Sequence, residues 1–444
     1  GEPTLLPTSP VRETGYTRTK VGLFPVTSEK PLTLATVLDH LARERQAHLP
    51  AQLAAQFPLS RAELDAHRDA AQGLLERMIA WQEELDWRCY ELYGITEPDA
   101  GLLAADPPPL ALGQRAFEIV MARRMAAGEL DTTWFARHRS TPVTDLPGHW
   151  PDDYKNLVQR RIALIESDRY LGLIERPEYK RRWNQEPWAE QEKRALRGWL
   201  LDRLETERYW PDLRLQSTAA LADRAQLDPA FMAVAERYIG YPGFHVPALV
   251  AELVDSESVP LLPVLRYKPS GLRKREVWER TWELQRQEDA GQASDIPPPP
   301  KYRSADFLTP AGWRLRGALD VPRERFVSYP LCAGDADPSL PVGWAGWDAL
   351  QQALALAGCY NEMMHQEGWT AQRLTPLLAG LLELLPWLLQ WHDAIDPEHN
   401  ERMGSYLAAF LDGELHRHGL TRQDLKAWEA PVIRRGGRKK TVSD

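Results

Sequence analysis

Residues 60–94 read SRAELDAHRDAAQGLLERMIAWQEELDWRCYELYG, and this stretch decides how the rest of the chain is understood. Ser60 followed by Glu63 is a capping box: the hydroxyl takes a free amide of the first turn while the carboxylate reaches back to the cap. Gly94 supplies the left-handed residue that ends helices. Between them Leu64, Ala71, Leu74, Met78, Trp81, Leu85, Cys89 and Leu92 recur mostly at alternating threes and fours, the stripe of a coiled-coil arm packed on a neighbour. Just upstream, Leu34, Val37, Leu38 and Leu41 share one face of residues Thr33–Leu49. The two segments are expected to pair as an antiparallel hairpin, a spacer geometry.

Working outward, prolines at 3, 7, 10, 25 and 31 leave residues 1–32 as an extended lead-in. Residues 33–128 form the helical spacer with its long hairpin, 129–295 a helical domain carrying basic and aromatic clusters, and 296–432 a C-terminal helical domain. Residues 433–444 are read as a basic, disordered tail. Helical periods recur at Tyr154–Asp168, Ala189–Glu207, Leu272–Glu288, Trp347–Glu367 and Thr370–Asp393, and Asp228 with Pro229 opens another helix. Val259–Tyr267 is the best strand candidate in its half, and Pro297–Pro300 mark a boundary that no helix crosses. The fold class expected is mainly α: a helical hairpin or coiled-coil arm followed by multi-helix bundles with few short strands. No fixed-period repeat occurs, which excludes a regular solenoid.

The hydrophobic fraction of 43% and charged fraction of 26% are those of a globular chain long enough, at 444 residues, for more than one core. Gly380, Glu383 and Pro386 interrupt the most apolar run, Leu377–Leu389, so no membrane partner is expected. The N-terminal residues lack the basic start and apolar centre of a secretory signal, and natural sequence upstream of Gly1 is left open. Cys89, Cys332 and Cys359 are odd in number and far apart, which fits neither a zinc ribbon nor a disulfide scaffold and points to a reducing cytoplasm. With a net charge of −9, contact with nucleic acid must come from local patches.

Motifs of catalysis are incomplete. No phosphate loop occurs, and Gly240-Tyr241-Pro242-Gly243 lacks the strand-turn-helix spacing of a dinucleotide fingerprint. Asp106-Pro107-Pro108-Pro109 is similar to the motif with which amino-methyltransferases hold a flipped adenine, but Pro109 and Leu110 replace the aromatic that stacks on the base. It reads as a loop. His392, Asp393, Asp396 and His399, or His416 with His418, offer no three convergent ligands at a recognisable spacing and read as solvated helix ends. No serine sits in a glycine-flanked elbow, and no catalytic residue, metal or cofactor is assigned to the chain.

What stands out is arginine beside tryptophan and tyrosine. Tyr179-Lys180-Arg181-Arg182-Trp183 interleaves cations with rings; Tyr267-Lys268 and Arg273-Lys274-Arg275 with Trp278 repeat the arrangement, and Lys301, Tyr302, Arg303, Trp313, Arg314 and Arg316 do so again. Guanidinium groups grip phosphate and rings stack on bases, so Lys180, Arg181, Arg182, Trp183, Lys268, Arg273, Lys274, Arg275, Arg314 and Arg316 are the candidate DNA contacts. The competing explanation is internal: arginine stacks on tryptophan and pairs with glutamate inside ordinary proteins.

Read in order, certain phrases carry a family resemblance. They are Trp81-Gln82-Glu83-Glu84-Leu85-Asp86-Trp87 through Glu91-Leu92-Tyr93-Gly94, Pro177 to Trp183, Tyr267 to Arg275, Pro299 to Ser304, Trp344-Ala345-Gly346-Trp347 and Leu374 to Leu381. Together they resemble the C-terminal region of PglX, the adenine-specific DNA methyltransferases of type 2 BREX phage-defence systems. The resemblance implies that the intact protein uses S-adenosylmethionine to mark host DNA. It also implies that this chain, without the cofactor loop and the adenine-flipping motif, is non-catalytic. Its implied partners are the catalytic half of the methyltransferase, double-stranded DNA, and other BREX proteins or a phage inhibitor; a pure protein-interaction scaffold without DNA contact is the alternative.

Overall fold

The computed structural model describes residues 29–98, 100–292 and 295–429. Most of the expected lead-in and the expected basic tail lie outside these residues. Among the described residues the protein is mainly α, with eighteen α-helices and four short strands. It divides into two compact units, the first ending at Glu192 and the second beginning at Lys193.

In the first unit the Arg61–Leu92 helix starts as its sequence dictates. The Ser60 hydroxyl accepts from the Glu63 amide at 3.2 Å and the Glu63 carboxylate accepts from the Ser60 amide at 2.6 Å. Gly94, with φ of +67°, follows the C-cap Tyr93. The Glu29–Ala47 helix packs along it, placing Leu41 in one core with Leu74, Leu75, Met78 and Ile79. Each such leucine taken wholly out of water stabilises the fold by about 2 kcal/mol. The stripe read from the sequence holds in the first half of the helix, where Leu64, Ala71, Leu74 and Met78 are buried. Further on, the buried face turns to Glu83, Glu84 and Trp87, while Leu92 is exposed. The reason is a second layer, the Ala116–Ala126 and Asp152–Ser167 helices, whose Phe117, Ile119, Leu157 and Ile162 join the same core.

In the second unit four strands form one sheet: β1 (Gln216–Ser217), β2 (Ser258–Pro260), β3 (Phe326–Ser328) and β4 (Pro341–Trp344), in the order β1-β4-β3-β2. β2 runs parallel to β3, and the other pairings are antiparallel. The strand expected over Val259–Tyr267 is realised only in β2, because Pro263 opens a short helix, Pro263–Arg266, immediately after it. The Thr218–Gln226 and Val246–Ser256 helices bury Leu221, Ala222, Leu249, Val250 and Leu253. The Ala349–His365, Ala371–Trp391 and Met403–His418 helices form a bundle around Leu356, Leu377, Leu381, Leu407 and Leu411. Ala371–Trp391 is long and apolar enough to cross a membrane by composition, yet most of it is buried in this bundle.

Candidate nucleic-acid interface

The basic run of the first unit begins at a buried ammonium. Lys180 Nζ donates to Glu175 Oε1 at 2.7 Å, Asp86 Oδ2 at 2.9 Å and the Tyr90 hydroxyl at 3.1 Å. Tyr90 in turn donates to Glu175 Oε1 at 2.6 Å. Burial opposes the charge, but Glu175, Glu83 and Asp86 together hold the Lys180 pKa well above the usual lysine value. Lys180 is therefore a fixed internal cation, with its side chain 2% exposed.

Beside this clasp lie two further buried pairs. Arg161, wholly enclosed over the Trp87 ring, donates to Glu84 Oε2 at 2.8 Å and to the Leu102 carbonyl at 2.6 Å. Arg115 pairs with Glu118 at 2.9 Å, and Glu118 also accepts from the Trp134 indole at 3.1 Å. Burial pushes the Glu84 carboxyl above the usual range, because desolvation outweighs the nearby Arg161. The sequence reading did not single out these acids. A signal existed: Glu83 and Glu84 lie four residues beyond the buried Ile79 and Ala80, on stripes that continue to Trp87.

Of the remaining residues in that run, Arg181 lies over the Trp183 ring at 4.5 Å and Arg182 is exposed without a partner among the described residues. Trp183 belongs to the core, so its ring is not presented to a base.

In the second unit Arg275 is buried. It pairs with Glu279 at 3.0 Å, Asp320 at 3.4 Å, and Glu383. Arg316 pairs with Asp320 at 3.6 Å and with Glu324. Arg314 reaches Glu257 at 3.3 Å. Lys274 binds the Lys301 carbonyl at 3.0 Å and the Asp306 carboxylate. Arg275 and Arg316 are thus occupied inside the fold. Tyr267 and Tyr302 stack at 5.0 Å within a small aromatic core, and burial pushes the Tyr302 phenol up to about 12.

Asp306 ties together the backbone that carries several of the remaining cations. Its carbonyl accepts from the Lys268 amide at 2.8 Å; its carboxylate accepts from Ser270 Oγ at 2.8 Å and the Arg303 amide at 2.7 Å. The backbones of Lys268, Lys301 and Arg303 consequently meet at one knot at the start of the Pro269–Asp289 helix, and Arg273 lies further along that helix. Lys268 and Arg273 are exposed and form no ion pair among the described residues. Gly271 is required there, since a Cβ would stand 2.6 Å from the Asp306 carbonyl.

The rejected catalytic motifs have structural places. The loop at Asp106–Pro109 is tied to the long helix by the Leu110 amide, 3.1 Å from the Glu76 carbonyl. Asp393 accepts from the Ser405 amide and hydroxyl, Asp396 from His399, and His418 meets the Tyr360 hydroxyl at 2.7 Å. Among the described residues no three His, Cys, Asp or Glu side chains converge as metal ligands.

A family model described as a domain of unknown function (DUF7008) matches residues 78–440. The chain belongs to the DUF7008 family. The DUF7008 match takes in both basic runs and the Lys180 clasp. The chain is also similar to the adenine-specific methyltransferase PglX of Streptomyces coelicolor, with 46% identity over 437 residues. That alignment covers 95% of this chain and 35% of the relative, so the chain spans about a third of its length. The resemblance read from the ordered phrases is borne out by this identity. No solved structure matches.

Proposed function

We propose that this DUF7008 chain is a non-catalytic portion, the C-terminal region, of an adenine-specific DNA methyltransferase of BREX phage defence, and that it helps hold duplex DNA. The likeness over 95% of the chain to a protein named an adenine-specific methyltransferase supports the first part. The observation that carries the second is the pair Lys268 and Arg273, exposed and unpaired at the Pro269–Asp289 helix. Cations left in water can exchange condensed counterions for phosphate, whereas buried and paired ones cannot. The contact set is therefore Arg181, Arg182, Lys268, Arg273, Lys301 and Arg303, while Lys180, Arg275 and Arg316 support the scaffold. In this reading S-adenosylmethionine is bound by the catalytic portion, and the assembly works in the cytoplasm.

The test is fluorescence anisotropy of labelled duplex DNA against salt. Each phosphate neutralised contributes a slope of about −0.9, so Lys268→Ala with Arg273→Ala should make the slope shallower by roughly 2. Binding indifferent to salt, or unchanged in that double variant, refutes DNA holding.

A second reading, docking of the catalytic portion, is favoured by Leu389, Trp391, Ile395 and Tyr406, apolar side chains exposed near the end of the Ala371–Trp391 helix. Co-purification of the two portions, lost in Trp391→Ser with Ile395→Ser, tests it.

A further inference from the structure

The segment Arg169–Arg182 is fastened through some of its side chains and leaves others bare. The Asp168 carboxylate accepts from the Tyr170 amide at 2.7 Å and the Leu171 amide at 2.8 Å, capping the Arg169–Ile174 helix. Leu171 and, just beyond the segment, Trp183 join the core. Glu175 and Lys180 form the buried clasp with Tyr90, and the Arg181 carbonyl accepts from Arg115 Nη1 at 2.8 Å. These ties fix the backbone at both ends and in the middle.

The remaining side chains are open to water. Tyr170 is 73% exposed and Tyr179 69%, with Leu173 exposed between them. Arg169, Arg176, Arg181 and Arg182 are all exposed, and Glu178 is the one exposed acid within the segment. Among the described residues Arg169, Arg176 and Arg182 make no side-chain hydrogen bond or ion pair, and Arg181 has the Trp183 ring. Elsewhere on the surface Arg61, Arg68, Arg280 and Arg422 each pair with a nearby carboxylate, whereas this short segment gathers three arginines that do not.

We propose that this face grips a nucleic-acid strand through unpaired bases, the arginines on phosphates and the rings of Tyr170 and Tyr179 on base faces. The proposal rests on the DNA-holding reading and narrows it. Inside a paired duplex the base faces are covered by their neighbours, and side chains reach only base edges and backbone. A bare tyrosine ring therefore gains most from a base already out of the stack. Within the segment four exposed guanidinium groups stand against one exposed carboxylate, a balance that favours a polyanion over an apolar protein partner. The buried Lys180 clasp has a role here as well: it holds Tyr179, Arg181 and Arg182 in one outward arrangement instead of meeting phosphate itself.

The experiment uses the full 444-residue chain and three labelled DNAs of one sequence: duplex, single strand, and duplex with a central unpaired stretch. The unpaired forms should bind about tenfold more tightly than the duplex, the gain expected of base stacking. Tyr170→Ala with Tyr179→Ala should erase that preference and leave duplex binding unchanged, while Tyr170→Phe with Tyr179→Phe should keep it. Arg169→Ala with Arg176→Ala and Arg182→Ala should weaken all three DNAs and flatten their salt dependence. Far-ultraviolet circular dichroism and melting matched to the parent chain establish that the variants fold. Equal affinity for paired and unpaired DNA, or a preference that survives loss of both tyrosines, overturns this inference and leaves DNA holding intact. So does a protein captured through the two tyrosines while DNA binding is unchanged. Failure to bind any of the three DNAs overturns both.

Discussion

Replacing Lys180 with methionine keeps the length of the side chain and removes an ammonium that stands 2.7 Å from Glu175 and 2.9 Å from Asp86. Glu175 is then left with a side chain that is 0% exposed and faces only the Tyr90 hydroxyl. Removing one partner of a buried ion pair strands the other charge, which costs about 3–5 kcal/mol. The direction with pH follows from the proton each group holds. In the parent chain the Lys180 pKa is raised, so its stabilisation is complete below the usual lysine value and lost only as pH rises through the raised one. In the variant, burial already holds the Glu175 carboxyl above its usual range, and loss of the cation raises it further. A carboxyl of raised pKa destabilises the fold as pH climbs through that value, so the defect should shrink on acidification. Urea unfolding followed by tryptophan fluorescence at about pH 8 and about pH 5 measures both effects. Adding Glu175→Gln to Lys180→Met should recover about 1 kcal/mol or more, since no full charge is then stranded at Glu175. A loss below about 1 kcal/mol, or one equal at both pH values, would refute the internal role of Lys180.

Three further outcomes are expected. Gly271→Ala should destabilise the second unit by about 1–3 kcal/mol and weaken DNA binding together, because its Cβ meets the Asp306 carbonyl that the Lys268 amide binds and displaces the start of the helix carrying Arg273; thermal melting and anisotropy read the two effects. Ser60→Ala should cost about 1 kcal/mol in denaturant unfolding, the usual worth of an N-cap side chain, and leave DNA binding unchanged. Burial pushes the Cys332 thiol far up and that of the half-buried Cys359 up to about 12, so iodoacetamide at about pH 8 should leave Cys332 unmodified and label Cys359 slowly in the native chain, and label both in urea; rapid native labelling of Cys332 would contradict its burial.

Local chemistry determined much of the architecture. The Ser60 box, the Asp228 cap with Pro229, and the apolar stripe from Leu64 to Met78 are written in neighbours three and four residues apart, and each appears where the sequence puts it. The same locality explains the shortened strand after Val259: Pro263, three residues beyond the end of β2, starts a helix that a count of β-branched residues does not foresee. The resemblance carried by ordered phrases such as Trp81–Trp87 was likewise legible, because it needs no knowledge of contacts.

The fate of each cation was not legible. Lys180 and Arg181 are adjacent, both cationic and flanked by the same rings, yet one is sealed and the other lies open. The difference comes from Asp86, 94 residues away, and from the layer that carries Arg115 and Arg161 onto the long helix. Arg275 likewise finds Glu383 at a separation of 108 residues. Sequence by itself determined which segments are helical and where basic and aromatic side chains accumulate, since backbone hydrogen bonding and side-chain periodicity act over a few residues. Only the tertiary structure decided which of those charges are spent inside and which face water, because desolvation and ion pairing depend on groups that chain folding brings from far along the sequence.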